Sequence, residues 1–145
     1  IERHLAASAV EVTLTHDARY ALMGIARAAI AASGTVVMES AIMGLPAVVL
    51  YRMSALSYLV GRLLVDVPRF SLPNILVGET FETELLQDAV QPERIAETME
   101  RIIMDGAPRD YVTERLARAV ALLGEPHAAR RVAEKILALG KHCDY

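Results

Sequence analysis

The chain has 145 residues, a net charge of −3 and a pI near 5.8, a length that fits one domain with a sizeable buried core. The acidic balance argues against a nucleic-acid-binding protein, and no apolar run reaches the roughly 18 residues of a membrane span. With one cysteine, Cys143, no internal disulfide can form, and the sequence predicts a cytoplasmic protein.

The first part of the chain alternates short apolar runs with helical patterns. Ile1 to Ala7 has the pattern of the end of a helix, and the alternating β-branched residues of Val10 to Leu14 predict a strand. His16 and Asp17 follow. A His beside an Asp permits acid–base chemistry, but our preferred interpretation places Asp17 as a helix cap and His16 in a loop. Tyr20 to Ala26 predicts a short amphipathic helix.

The next stretch predicts a β-turn-α-β unit, on which the rest of the chain is organised. Ala28 to Ser33 and Ala47 to Tyr51 are apolar runs typical of strands buried in a parallel sheet. Between them, Gly34 permits a sharp turn and Val36 to Met43 predicts a helix. Gly44 fits the left-handed position that follows a helix.

The start of this central helix is a candidate anion site, because its first amides have no partners within the helix. Thr35 is suited to cap it. Glu39 lies about one turn in, near the carboxyl edge of the sheet, where open α/β sheets bind ligands. Its carboxylate could accept two hydrogen bonds from a sugar diol. On the residues alone, the preferred interpretation is that Glu39 only complements the helix dipole.

The second half predicts more helices than strands. The predicted elements are a helix from Ala55 to Leu64, a strand from Arg69 to Leu72, a loop from Pro73 to Gly78, a helix starting at Thr83 to Asp88, and helices at Pro92 to Met104, Pro108 to Leu123 and Pro126 to Gly140. The first helix has an apolar face that predicts packing in the core or against another lobe, with lipid contact as the alternative. That face consists of Leu56, Leu59, Val60, Leu63 and Leu64.

Together these elements predict an α/β fold with a parallel sheet of about four strands and helices on both faces. We place the α/β core at residues 1–105 and the C-terminal helices at residues 106–145. No metal site or cofactor is predicted. One cysteine and four histidines without ligand spacing cannot build a zinc site, and the sequence has no Walker loop or glycine-rich dinucleotide motif. The histidines are His4, His16, His127 and His142.

Three ordered blocks of residues carry a resemblance to a known family. They are Ser33-Gly34-Thr35-x-x-x-Glu39 with Gly44-x-Pro46 and Tyr51-Arg52, then Ser71-Leu72-Pro73-Asn74-Ile75-Leu76-x-Gly78, then Glu84-Leu85-Leu86-Gln87-Asp88 with Pro92-Glu93. From about Asp17 to Met104, their order and spacing resemble lipid-A-disaccharide synthases. A lone Ser-Gly-Thr is a weak signal, but three blocks with these gaps are a strong one.

The resemblance implies a Rossmann-like lobe of the two-lobed GT-B type. Enzymes of that family are inverting glycosyltransferases that move a diacylglucosamine unit from UDP to a lipid monosaccharide phosphate. A full member is much longer and has an N-terminal acceptor lobe that carries the catalytic base. We therefore expect the chain, which begins at Ile1, to be part of the C-terminal nucleotide-sugar lobe, with no catalytic residue of its own.

The resemblance also implies the residues that bind substrate, which are Ser33, Gly34, Thr35, Glu39, Arg52, Asn74, Glu84 and Gln87. Glu39 would hold the ribose, and Thr35, nearby amides and Arg52 would face the phosphates. Asn74, Glu84 and Gln87 would line the sugar side. Two positions that are often basic in relatives are Asp66 and Glu79 here, and both changes remove positive charge beside the expected cleft.

The expected partners are a UDP-sugar lipid donor and the missing N-terminal lobe, with a homodimer and peripheral contact at the inner membrane as further expectations. A second hypothesis is a module without turnover that binds a nucleotide or assembles with another subunit. Exposed apolar surface on the helix after Ser54 and on the leading strand would favour self-association.

Overall fold

The computed structural model describes residues 10–54, 58 and 68–140. The helix expected at Ile1 to Ala7, most of the helix expected at Ala55 to Leu64, and the positions of Asp66 and Cys143 lie outside the described residues.

The described chain forms an α/β fold in which helices flank a three-stranded sheet. In chain order the elements are α1 (Arg19–Ile25), β1 (Ala29–Ala32), α2 (Thr35–Ile42), β2 (Ala47–Tyr51), α3 (Leu72–Val77), β3 (Glu84–Leu86), a 3₁₀ turn (Gln87–Ala89), α4 (Pro92–Ile103), α5 (Ala107–Leu122) and α6 (Ala128–Gly140). The predicted β-turn-α-β unit is confirmed within two residues at every boundary.

The sheet has the order β1-β2-β3 and both pairings are parallel. Ala31 lies opposite Val49, and Val49 lies opposite Glu84. The prediction of parallel pairing between the first two strands is therefore confirmed. All three strands end at the same edge, and the segments that follow them lie there together.

Two predicted strands are absent from the described residues. Val10 to Leu14 is irregular and exposed, and β2 is the only strand that pairs with β1 in the described part of the chain. Arg69 to Leu72 instead leads into α3, which has Ser71 at its N-cap and Pro73 in its first turn. Proline at a helix start is favoured because its missing N–H needs no partner there.

The helix predicted from Thr83 to Asp88 is also wrong, because Glu84 to Leu86 forms β3. Leu85 is buried and pairs opposite Leu50 of β2. This pairing joins residues that are far apart in sequence, and it overrides the local helical preference of the Glu-Leu-Leu-Gln run.

The core lies on both faces of β2, whose side chains alternate between two apolar clusters. Val48 packs with residues from α2, the segment before β3, β3, α4 and α5, namely Met38, Ala41, Phe81, Leu85, Ile102, Val112 and Leu116. Ala47 and Val49 pack with Ala31 and Val37 on the other side. Helix α5 thus packs into the same core as the sheet, while the proposed division at residue 105 stays a prediction.

Apolar side chains remain exposed at β1 and on α6. Ile30 is 54% exposed on β1, and Ile136 is 63% exposed on α6. Leu137 and Leu139 on α6 are exposed as well. Among the helices in the described ranges, none is both long and apolar enough to cross a bilayer.

Candidate functional site

The carboxyl edge of the sheet brings together three predicted site segments. Ser33 and Gly34 follow β1, Arg52 follows β2, and Gln87 follows β3. Ser33 donates its backbone N–H to Leu50 O at 2.8 Å, which fixes the chain at the point where it leaves the sheet. Arg52 is exposed at this edge.

Helix α2 begins at this edge and directs its N-terminus toward it. Gly34, not Thr35, is the N-cap, so the predicted cap is wrong by one residue. Gly34 has φ 158° and ψ −165°, a combination found almost only in glycine. Among the described residues no side chain caps the helix, so its first amides keep their capacity to bind an anion. At the other end Gly44 has φ 67°, which confirms the predicted left-handed residue.

Glu39 lies one turn into α2 and is only partly buried, with 25% of its side chain exposed. Its Oε2 atom lies 3.4 Å from Nε of Arg19 in α1. Oε2 is shielded from solvent and makes no hydrogen bond within the described part of the chain, so this contact is an ion pair without hydrogen-bond geometry. This pairing was not predicted from the sequence.

Glu84 holds the start of α3 against the sheet. Its carboxylate accepts hydrogen bonds from Phe70 N at 3.0 Å, from Ser71 N at 2.9 Å and from Ser71 Oγ at 2.7 Å. It also accepts one from Asn74 Nδ2 at 2.8 Å. The structure therefore brings two of the predicted sugar-side residues, Asn74 and Glu84, into direct contact.

Asn74 is fully buried and uses both ends of its amide. Its Nδ2 also donates to Glu82 O at 2.9 Å, while its Oδ1 accepts from Phe81 N at 3.1 Å and Glu82 N at 3.0 Å. These three hydrogen bonds are made to backbone groups that lie outside any helix or strand. Asn74 therefore holds the segment between α3 and β3 in its conformation.

Gln87 fixes the segment that follows β2. It accepts from Met53 N at 2.8 Å and donates to Met53 O at 3.0 Å, and its own backbone is left-handed, with φ 51°. The two hydrogen bonds to Met53 offset the cost of this left-handed backbone, which residues other than glycine seldom adopt. They also tie together the ends of β2 and β3 beside Arg52.

Replacing Gln87 by alanine is expected to lower the free energy of unfolding by about 1–2 kcal/mol, since two half-buried bonds to Met53 are lost. The measurement is urea unfolding followed by circular dichroism. Gln91→Ala is the matched control, because Gln91 is exposed and donates one bond, to Asp88 O. Equal losses in the two variants would contradict the role of Gln87 at this edge.

Glu82 was not predicted as a site residue, yet it is buried, with a relative exposure of 1%. Its Oε1 accepts from Ala47 N at 3.0 Å, and its Oε2 is buried without a hydrogen-bond partner among the described residues. Burial, with the nearby Glu84 charge adding to it, raises the pKa of Glu82 to about 8, against the effect of the Ala47 bond.

Glu82 lines a cavity of about 530 Å³ at the amino edge of the sheet, and Glu84, one of the predicted site residues, lines it as well. Arg101 and Tyr111 lie in the same wall. Within the ranges that the structure describes, no group of His, Cys, Asp and Glu side chains could hold a metal ion.

Comparison with known proteins decides the family. The sequence profile of the family described as lipid-A-disaccharide synthetase matches residues 1–137. The chain belongs to this family. It is 46% identical to the lipid-A-disaccharide synthase of Myxococcus xanthus over 118 residues, which are 81% of this chain and 31% of the relative.

Other members of the family give the same picture. The chain is 41% identical to the lipid-A-disaccharide synthase of Syntrophus aciditrophicus over 133 residues, which are 92% of this chain and 35% of that one. The synthase of Anaeromyxobacter dehalogenans strain 2CP-1 is also 41% identical, over 96% of this chain and 37% of its own length. The chain thus spans about a third of the length of these relatives.

Proposed function

We propose that this chain is the nucleotide-sugar lobe of a glycosyltransferase of lipid A biosynthesis. In this proposal it binds UDP-diacylglucosamine, whose sugar is transferred to a lipid monosaccharide phosphate. The supporting observation is the uncapped start of α2 at the carboxyl edge, with Glu39 one turn inside the helix, in a chain of the lipid-A-disaccharide synthase family.

The diphosphate is assigned to the first turn of α2. Backbone N–H groups at a helix start point outward and the helix dipole favours negative charge, so Gly34 and Thr35 provide donors without a dedicated side chain. Ser33 lies partly exposed next to them, and Arg52 is an exposed cation at the same edge. The positive end of the helix dipole and the Arg52 charge both favour an anionic ligand over a neutral one.

The ribose is assigned to Glu39. An ionised carboxylate accepts strong hydrogen bonds from hydroxyl groups, and this one lies a turn below the phosphate donors, in a helix whose other polar side chains are few. The exposed quarter of its side chain leaves room for a ligand to reach it.

The sugar side is assigned to the segments held by Asn74, Glu84 and Gln87. Their side chains are engaged with the backbone of neighbouring segments, so we assign them the work of positioning Ser71 and Met53 around the ligand. In this scheme the chain supports the leaving UDP, and the base that deprotonates the acceptor hydroxyl belongs to another part of the enzyme.

The 145-residue chain alone is therefore expected to form no disaccharide. The assay mixes the purified chain with UDP-diacylglucosamine and the lipid monosaccharide phosphate, and follows the product by mass spectrometry. The same assay on a full-length synthase from a relative is the positive control. Turnover by the chain alone would contradict the assignment of the base to another part.

A second candidate function is a subunit-assembly module without turnover, which the exposed apolar side chains of β1 and α6 favour. Titration of UDP by calorimetry separates the two. Saturable binding supports the nucleotide-sugar lobe. Absence of binding, combined with a dimer in analytical ultracentrifugation, supports the assembly module instead.

A further inference from the structure

The ion pair between Arg19 and Glu39 engages one oxygen of the carboxylate that we assign to the ribose. Nε of Arg19 lies 3.4 Å from Oε2, and Oε2 is the oxygen that is shielded from solvent. A buried carboxylate oxygen needs a partner to offset its lost hydration, and the guanidinium is the charge placed to provide it.

Arg19 is itself held in place by its neighbour Tyr20. One terminal nitrogen of Arg19 donates to the Tyr20 hydroxyl at 2.9 Å, and the guanidinium carbon lies 4.7 Å from the centroid of the Tyr20 ring. A planar guanidinium that is stacked and hydrogen-bonded loses less freedom when it forms an ion pair than a mobile side chain would. The contact thus has a fixed direction, although Arg19 is 55% exposed.

We propose that Arg19 is a specificity-determining positioning residue for the nucleotide. Its charge attracts Oε2 of Glu39 and keeps that oxygen turned away from solvent, so that Oε1 alone accepts a hydrogen bond from the ribose. The site therefore recognises one ribose hydroxyl strongly and the other weakly. This inference rests on the proposed function, because it assumes that Glu39 contacts the ribose.

The test compares UDP, 2′-deoxy-UDP and 3′-deoxy-UDP by calorimetry on the wild-type chain and on Arg19→Gln. In the wild type, removing one hydroxyl should weaken binding roughly 10- to 100-fold, and removing the other by less than about threefold. In Arg19→Gln the carboxylate is free to turn and accept from both hydroxyls. Removal of either one should then cost at least about fivefold.

Arg118→Gln is the matched control, since Arg118 is an exposed arginine on α5. It should keep the wild-type pattern. The change at Arg19 removes a largely exposed ion pair, so the melting temperature should move little and the variant should fold. A purely structural role for Arg19 would change stability and leave the ratio of the two deoxy penalties untouched.

Two results would overturn the inference. Equal penalties for both hydroxyls in the wild type would show that Oε2 is not withheld. An unchanged pattern in Arg19→Gln would show that Arg19 does not withhold it. In either case UDP still binds and the proposed function survives, whereas a wild-type chain that binds no UDP contradicts both.

Discussion

Replacing Glu39 by alanine is expected to weaken UDP binding by about 2–3 kcal/mol, or roughly 30- to 150-fold. The carboxylate makes charge-assisted bonds to the ribose, each worth about 1.5–3 kcal/mol, and water recovers part of that loss. Calorimetric titration of UDP into both proteins measures the difference. The variant should bind 2′-deoxy-UDP and 3′-deoxy-UDP nearly as well as UDP, because the carboxylate that accepts from the ribose is gone.

The Glu39 variant should still fold. The variant loses the favourable interaction of the carboxylate with the helix dipole and its ion pair with the exposed Arg19, each worth about 1 kcal/mol or less. Glu97→Ala, at an exposed glutamate on α4, is the control for a general change in charge. If Glu39→Ala binds UDP as tightly as the Glu97 variant does, Glu39 is a structural residue.

Replacing Glu82 by glutamine is expected to stabilise the protein at high pH and to have little effect at pH 5. The pKa of Glu82 is about 8 in the folded chain against an ordinary value of 4.5, because burial penalises its charged form. Its contribution to stability is therefore fully present below pH 4.5 and is lost as the pH rises to about 8. A shift of this size corresponds to at most about 5 kcal/mol.

Glutamine keeps the oxygen that accepts from Ala47 N and cannot ionise. Urea unfolding of the wild type and Glu82→Gln at several pH values measures the effect. The stability advantage of the variant should grow by about 3–5 kcal/mol between pH 5 and pH 9. Glu97→Gln is the control, and its advantage should stay constant. A constant advantage for Glu82→Gln would mean that Glu82 ionises freely in the folded chain.

The central β-turn-α-β unit could be predicted because its signals are local. Ala47 to Tyr51 is apolar throughout, which is typical of a strand covered on both faces, and Gly34 and Gly44 mark the ends of the helix. The same holds for α4 and α5, where Pro92 and Pro108 occupy early helix positions.

The third strand could not be predicted in this way, because its conformation depends on distant residues. Glu84 to Leu86 has good helix formers, and it is a strand because Leu85 pairs opposite Leu50 and the Glu84 carboxylate binds the Phe70 and Ser71 amides. Neither of these contacts can be inferred from the helix or strand preference of the residues themselves.

The residues of the candidate site also differ in whether local sequence signals could predict them. Gly34, Thr35 and Glu39 follow from the chemistry of a helix start, while Asn74, Glu84 and Gln87 were named only through the family resemblance. Arg19 and Glu82 were missed. An arginine near the start of a short helix and one glutamate in an acidic stretch are ordinary in a sequence, and only the folded chain shows what they contact.

The most direct test of the nucleotide site is its location on the folded chain. Amide shifts in ¹⁵N-labelled protein, followed by NMR during titration with UDP, report which backbone groups meet the ligand. If UDP binds at the start of α2, we expect saturable shifts that are largest at Gly34, Thr35 and Val36, and smaller ones near Arg52. Saturable shifts confined to the amino edge, around Ala47 and Glu82, or none at millimolar UDP, would contradict it.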